Sequence, residues 1–416
     1  MTSNPTPPQP ATARRIQSLP SSPVRDLLAQ ARVPGMISLA GGLPSADGFD
    51  AGAIAGAFAQ ALEPGTAGRQ SLQYGLTEGE PRLRQALAAW MSERGSPTAA
   101  DSILVTSGSQ QGLDLVARLL LNEEDCLLVE RPSYLAALSA FSLSCPHLEG
   151  IAADEQGPCL AALDAVLKSG RRPRLLYLVS DFANPTGKTI SLARRREILT
   201  WAVSHQIVIV EDNPYGELRF SGDALPSLYA LAQEDPQARN WVIHLSTLSK
   251  IVSPGLRLGW MVLPPGLIEP AVRLKQSMDL HTATVNQTAA AAYLESGRLE
   301  ARLIWLRAHY RERKQALLDA LNAELGDRLL LNDPDGGLFL WGRLQSGPGG
   351  VVDAYRWLEA SIRHKVVFVP GEAFFASKPD RQSLRLSFAT TSPAEMPTAA
   401  RRLAMALQAV DAPALA

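Results

Sequence analysis

From residue 103 onward, short unbroken apolar runs alternate with longer stretches whose apolar residues recur at helical spacing. The runs are Ile103–Val105, Cys126–Val129, Leu175–Val179, Ile207–Val210 and Trp241–Leu245. Helical candidates such as Gly112–Leu121 and Leu192–His205 lie between them. Strands that are apolar without alternation are buried on both faces, which predicts a mostly parallel sheet covered by helices. Upstream, Ser22 and Pro23 read as the cap and first turn of a helix running through Leu28. Met36–Pro44 is apolar and broken by Gly41-Gly42, so a sharp turn is expected there. Leu83, Leu87, Trp90 and Met91 give Pro81–Glu93 a helical period. Downstream, a long helix over about Ala289–Leu325 leads to two strand-like stretches, Gly336–Trp341 and Leu384–Phe388, which suggest a smaller α+β domain. No repeat at solenoid spacing is present.

Composition narrows the class. The 416 residues are 46% hydrophobic and 19% charged, enough to bury a sizeable core and too little charge for a disordered chain. Lys+Arg total 40 and Asp+Glu 41, a net charge of -1, so the general footprint of a nucleic-acid or membrane-surface binder is missing. The local clusters Arg171–Arg174 and Arg194–Arg196 read as solvated faces. Cys126, Cys145 and Cys159 are odd in number and lack metal or redox spacing, which fits a reducing compartment such as the cytoplasm. No apolar run is long enough to span a membrane, and no metal site is expected. Residues 1–13, with four prolines and no apolar core, read as a disordered leader rather than a secretory signal.

In open α/β sheets ligands bind beyond the carboxyl ends of the strands, so the residues after each run matter most. Thr106–Gln111 follows the first run, and Ser180–Gly187 the third. Glu211–Tyr215 follows the fourth and Ser246–Lys250 the fifth. Lys250 is either a surface lysine or, among hydroxyls and near Arg257, an amine of lowered pKa able to form a Schiff base. Asp212 ends an apolar strand and needs a partner, whether as a helix cap, in a structural ion pair or in a site. Asn184-Pro185-Thr186-Gly187 is a turn and helix start on the plain reading. Gly108-Ser109-Gln110 opens a helix whose free N–H groups suit a phosphate, or form an unliganded cap. Neither the dinucleotide fingerprint nor the P-loop pattern occurs.

Taken together, these segments resemble the fold-type-I aminotransferases that use pyridoxal phosphate (PLP), in particular the branch of 2-aminoadipate and kynurenine aminotransferases. The likeness runs from about Arg14 to Ala409 and rests on motifs in family order. These are Ser38–Pro44, Gln73-Tyr74-Gly75, Gly108–Gln111, Pro132-Ser133-Tyr134, Asn184–Gly187, Glu211–Tyr215, Ser249-Lys250, Pro254–Arg257, Gly336-Gly337 and Leu384–Ser387. The resemblance implies an α/β fold: a large domain with a mostly parallel seven-stranded sheet, spanning about 60–300. A smaller α+β domain would combine 14–59 with 301–416. It further implies that Lys250 holds the cofactor and shuttles a proton, Asp212 pairs with the pyridine nitrogen, Asn184 and Tyr215 bond the ring oxygen, and Tyr134 stacks on the ring. Ser109, Gln110, Ser249 and Arg257 would hold the phosphate, with Thr247 as a secondary candidate. Tyr74 would reach the neighbouring subunit's cofactor in a homodimer. Arg385, assisted by Asn184, would clamp the substrate α-carboxylate through two parallel hydrogen bonds. Gly42 would let backbone approach the substrate. Arg25, in a mobile helix, is either a reader of a side-chain carboxylate or a solvated arginine. His244 and His281 are structural on this reading. Ala183 stands where the branch usually carries glutamine and widens or dries that corner.

The implied reaction is ping-pong transfer of an amino group from an L-amino acid (2-aminoadipate, aromatic or branched-chain) to a 2-oxo acid, 2-oxoglutarate first among them. The alternative is another PLP reaction on the same scaffold: a lyase, a decarboxylating enzyme or a specialised biosynthetic catalyst. A PLP-sensing transcription regulator is disfavoured, because the match begins near Arg14 and leaves no room for a DNA-binding domain before it.

Overall fold

The computed structural model describes residues 10–17, 27, 30–145, 147–347 and 350–411. Arg25, the helix start at Ser22 and most of the leader lie outside the described residues.

The large sheet has seven strands. In chain order they are β1 (Ile103–Thr106), β2 (Cys126–Glu130), β3 (His147–Ile151), β4 (Pro173–Leu178), β5 (Val208–Asp212), β6 (Val242–Thr247) and β7 (Gly259–Val262). Their spatial order is β1-β7-β6-β5-β4-β2-β3. Only β7 runs against its neighbours, pairing antiparallel with both β1 and β6. The other six are parallel, so their carboxyl ends share one edge. The five apolar runs are five of these strands. Their residues are almost all buried, as two-faced cover by helices requires.

β7 enters from the carboxyl edge, because Gly259 sits opposite Thr106 on one side and Thr247 on the other. That brings Arg257, two residues earlier, onto the same edge. Gly259 must lack a side chain: a Cβ there would lie 2.7 Å from the Ser109 nitrogen and 2.9 Å from the Ser246 carbonyl oxygen.

Helix Pro81–Glu93 begins with proline in its first turn. Helix Leu192–His205 is capped by Ser191, whose hydroxyl accepts from Arg194 N at 3.2 Å. The single long helix expected over Ala289–Leu325 is two helices, Thr284–Glu295 and Arg298–Leu325. Gly297, with φ 71°, takes a left-handed turn between them that ends one helix and redirects the next. The sharp turn expected at Gly41-Gly42 does not form: residues 39–45 make no turn or bend, and neither glycine is among those with a positive φ.

The smaller sheet comprises β8 (Leu329–Leu331), β9 (Phe339–Leu344), β10 (Val369–Pro370) and β11 (Ser383–Ser387), in the order β8-β9-β11-β10. The amino-terminal segment joins it. Ile37–Ser38 pairs in parallel with Val366–Val367, and Ser387 N donates to Leu39 O at 2.7 Å.

Candidate active site

Four strand ends deliver the polar groups. β5 ends in Asp212, which is 2% exposed. The Tyr177 hydroxyl on β4 donates to Asp212 Oδ2 at 2.9 Å, while Oδ1 is buried without a partner among the described residues. Burial raises the Asp212 pKa to about 6, with the Tyr177 hydrogen bond acting the other way. An unmatched carboxylate oxygen in a dry site calls for a donor or a cation.

β6 leads into the turn that carries Lys250. Its Nζ donates to Gly42 O at 2.9 Å. Burial, then the guanidiniums of Arg385 and Arg257, push its pKa from 10.5 down to about 8. Thr247 works inside this turn: its hydroxyl accepts from Ser249 N at 3.1 Å and has Leu258 O and Ser249 Oγ each 2.9 Å away.

Arg385 lies on β11, 3% exposed. It donates to Asn184 Oδ1 at 2.8 Å and to Ala40 O at 2.7 Å. Phe339 and Phe374 flank it, their ring centroids 4.3 and 5.0 Å from its guanidinium carbon. Its Nε has no partner, and no carboxylate pairs with it among the described residues. Burial lowers its pKa to about 10. A buried guanidinium with neutral partners only is a ready seat for a carboxylate.

Tyr134 and Tyr215 complete the cluster. Burial pushes Tyr134 up to about 12; the Asp212 charge adds to this, and Arg385 and Arg257 oppose it. Burial also raises Tyr215, against which a hydrogen bond with Asn184 acts. Tyr215 packs edge-on against Phe339, 5.9 Å between centroids.

The start of helix Ser109–Leu120 forms the outer wall. Its cap, Gly108, has φ 87° and offers no side-chain acceptor to the first N–H groups. A Cβ on Gly108 would lie 2.7 Å from Arg257 Nη2, so the glycine lets the guanidinium cross the helix start. Arg257 is exposed, touches Ser107 O at 3.3 Å and makes no ion pair among the described residues. A helix amino terminus with an uncommitted guanidinium beside it fits a phosphate. Gln110 is exposed here and donates to Ala136 O at 3.3 Å.

Lys250, Asp212, Asn184, Tyr134, Tyr215, Arg385 and Arg257 therefore act on one another electrostatically or by hydrogen bonds. Ser109, Gln110 and Ser249 border them. Gly42 contributes its carbonyl to Lys250, and a Cβ there would meet Phe339 Cζ at 3.2 Å. Tyr74 stands apart on an exposed loop, 78% accessible, its ring edge-on to His281. Asp181 pairs with Arg195 at 2.8 Å and Arg219 at 3.0 Å. Ala183 is buried, and its backbone closes the Asn184–Gly187 turn. His244 bonds Glu211 at 3.0 Å on the other face of the sheet, a structural role. Sequence reasoning passed over Tyr177, Phe339 and Phe374. For Tyr177 a signal existed: a tyrosine inside a wholly apolar strand must bury its hydroxyl against a partner.

No group of three or more His, Cys, Asp or Glu suited to a metal occurs among the described residues. The unmatched Asp212 oxygen, the desolvated Lys250 amine and the uncommitted Arg257 at a helix start are the three contacts that a phosphorylated pyridine aldehyde requires. Fold and site together define a PLP-dependent transferase of fold type I. The chain belongs to the family described as aminotransferase class I and II, which it matches over residues 36–403.

Its relatives include the 2-aminoadipate transaminase of Thermus thermophilus, 40% identical over 396 residues and covering 95% of each chain. An aromatic-amino-acid aminotransferase of Thermococcus litoralis is 38% identical over 397 residues, covering 94% of this chain and 93% of the relative. Among solved structures, the alpha-aminoadipate aminotransferase of Thermus thermophilus complexed with N-(5'-phosphopyridoxyl)-L-leucine superposes with a TM-score of 0.87 at 37% identity. It covers 96% of this chain and 97% of its own.

Proposed function

We propose that this aminotransferase moves the amino group of an L-amino acid to 2-oxoglutarate by ping-pong chemistry, with Lys250 as the acting base. The observation that carries the reading is one cluster holding an amine of lowered pKa on Lys250, a buried carboxylate oxygen on Asp212 without a partner among the described residues, and a buried guanidinium on Arg385 whose hydrogen-bond partners there are neutral. Bound PLP supplies an electron sink for negative charge developing at the substrate Cα. Lys250 anchors the cofactor through its amine and, once released, carries a proton to and from the substrate Cα. Its depressed pKa keeps the amine neutral in roughly half of the molecules near pH 8, against under about one in a hundred for an ordinary lysine. Asp212 would pair with the ring nitrogen and favour its protonated form. Asn184 and Tyr215 would hold the ring oxygen, and Tyr134 would pack on the ring. Ser109, Gln110, Ser249 and Arg257 would hold the phosphate, with Thr247 bracing Ser249.

Arg385 takes the α-carboxylate, with Asn184 fixing the guanidinium plane. Gly42 borders the substrate. The proposed donors are 2-aminoadipate, aromatic and branched-chain amino acids, in keeping with the relatives' names. Arg25 remains a proposed reader of a side-chain carboxylate.

The active form is a homodimer. Leu72, Tyr74 and Leu76 are exposed together on one loop, as residues that a second copy would cover. Tyr74 would then reach the partner's phosphate. The large domain spans 60–300, and the small one combines 14–59 with 301–416. Three free cysteines favour the cytoplasm, and among the described residues no helix is long and apolar enough to cross a membrane.

The test is a glutamate-release assay with PLP-loaded protein, 2-oxoglutarate and each donor in turn. Turnover with at least one donor and its loss in Lys250→Ala are expected; turnover retained in Lys250→Ala overturns the assignment of the base.

A further inference from the structure

Asp212 has two carboxylate oxygens in different situations. Oδ2 receives the Tyr177 hydroxyl at 2.9 Å, and Oδ1 is buried with no partner among the described residues. Tyr177 is fully buried and packs edge-on against Phe141, 5.4 Å between centroids, so its hydroxyl has one place to point. β4 and β5 are adjacent and parallel, with Tyr177 opposite Val210. The tyrosine thus reaches up its own face of the sheet to the strand end beside it.

We propose that Tyr177 is a positioning residue for the amino-transfer reaction: it occupies one oxygen of Asp212, aims the other at the cofactor's ring nitrogen and keeps the carboxylate ionised. The inference rests on the reading of Asp212 as the partner of that nitrogen. Its physical basis is competition for one proton. Burial favours the protonated carboxyl, and a hydrogen bond donated to the carboxylate favours the ionised form. Without the Tyr177 donor, Asp212 becomes the better base, the proton moves from the ring nitrogen toward the carboxyl, and the electron sink weakens. Substrate binding, carried by Arg385 on the other domain, is untouched.

The experiment uses the holoenzyme loaded with PLP labelled with 15N in the ring. In Tyr177→Phe, which keeps the ring packing, the 15N resonance should move toward the unprotonated position. The kcat should fall about tenfold or more while KM changes by less than about twofold, as for loss of a hydrogen bond to a charged group. Site-specific replacement of Tyr177 by 3-fluorotyrosine keeps the fold and strengthens the donor, and should move the resonance the opposite way. An unmoved resonance in both variants, or a KM effect without a kcat effect, overturns the proposal. Asp212→Asn separates the two levels. If it too leaves the resonance unmoved, the reading of Asp212 itself falls; if it moves the resonance and the Tyr177 variants do not, only the role of Tyr177 falls.

Discussion

Arg385 is held in a place where a lone charge is costly. Its guanidinium is flanked by two phenyl rings, bonded to two neutral oxygens, and has one nitrogen unpartnered. On the proposed reading, a substrate carboxylate would supply the missing negative charge. Arg385→Ala should raise KM for both the amino acid and the 2-oxo acid by roughly 30-fold or more, the scale of losing one partner of a buried charge pair. Arg385→Lys should not restore it, because an ammonium cannot offer two parallel donors. Steady-state kinetics with each substrate varied checks both; a KM within about twofold of the parent would remove Arg385 from the site. Lys250 carries the pH dependence. Only the neutral amine attacks an aldehyde, and its folded pKa is lowered to about 8. The rate at which apoprotein captures PLP should therefore rise from pH 7 to 9 with a midpoint near 8 and level off above. Stopped-flow absorbance across that range checks this, and a midpoint near 10.5 would show an ordinary exposed lysine.

At the next scale, β5 works as a two-sided device. Successive residues point to opposite faces, so Asp212 meets the site and Glu211 grips the far side. Glu211 accepts from Ser180 Oγ at 2.6 Å, Leu228 N at 2.8 Å, Tyr229 N at 3.0 Å and His244 Nδ1 at 3.0 Å. It thereby caps helix Leu228–Glu234 and fixes the strand end that carries Asp212. Burial raises its pKa, but His244, Arg195 and Ser180 outweigh burial and bring it to about 2. The folded value lies below the ordinary 4.5, so this stabilisation is complete above that pH and is lost as pH falls toward 2. Glu211→Ala should cost about 3 kcal/mol or more of stability at pH 7, with a smaller difference from the parent at pH 3; denaturant melts at the two pH values check it. Elements such as β5 were readable because buried parallel strands are apolar without interruption. β3 and β7 were not. His147–Ile151 is an edge strand with a polar start, and Gly259–Val262 is four residues opening on a glycine. The break at Gly297 was missed because helical periodicity continues on both sides of it.

For the whole molecule, the sequence order of the motifs makes the gathering of Lys250, Asp212, Asn184 and Arg385 legible in the sequence. The resemblance assigned their roles, and the parallel sheet supplies the reason the first three meet: they follow strands whose carboxyl ends share an edge. Arg385 arrives from the second sheet, across a distance that no local pattern encodes. Supporting groups such as Tyr177, Phe339 and Phe374 were silent because their residue types are those of an ordinary core. Dimerisation is the large-scale expectation. Sedimentation should give twice the 44.7 kDa chain mass, and Tyr74→Ala should weaken PLP retention by about tenfold, the scale of one hydrogen bond to a charged group, although the residue lies outside its own chain's cluster. A monomer at micromolar concentration would contradict this. Amino transfer through a cofactor held by Lys250 can be read in the absorbance spectrum of the PLP-loaded protein. A visible band that bleaches with an amino donor and returns with 2-oxoglutarate is the expected result. A band that fails to bleach, or that bleaches with release of ammonia and does not return, would contradict it.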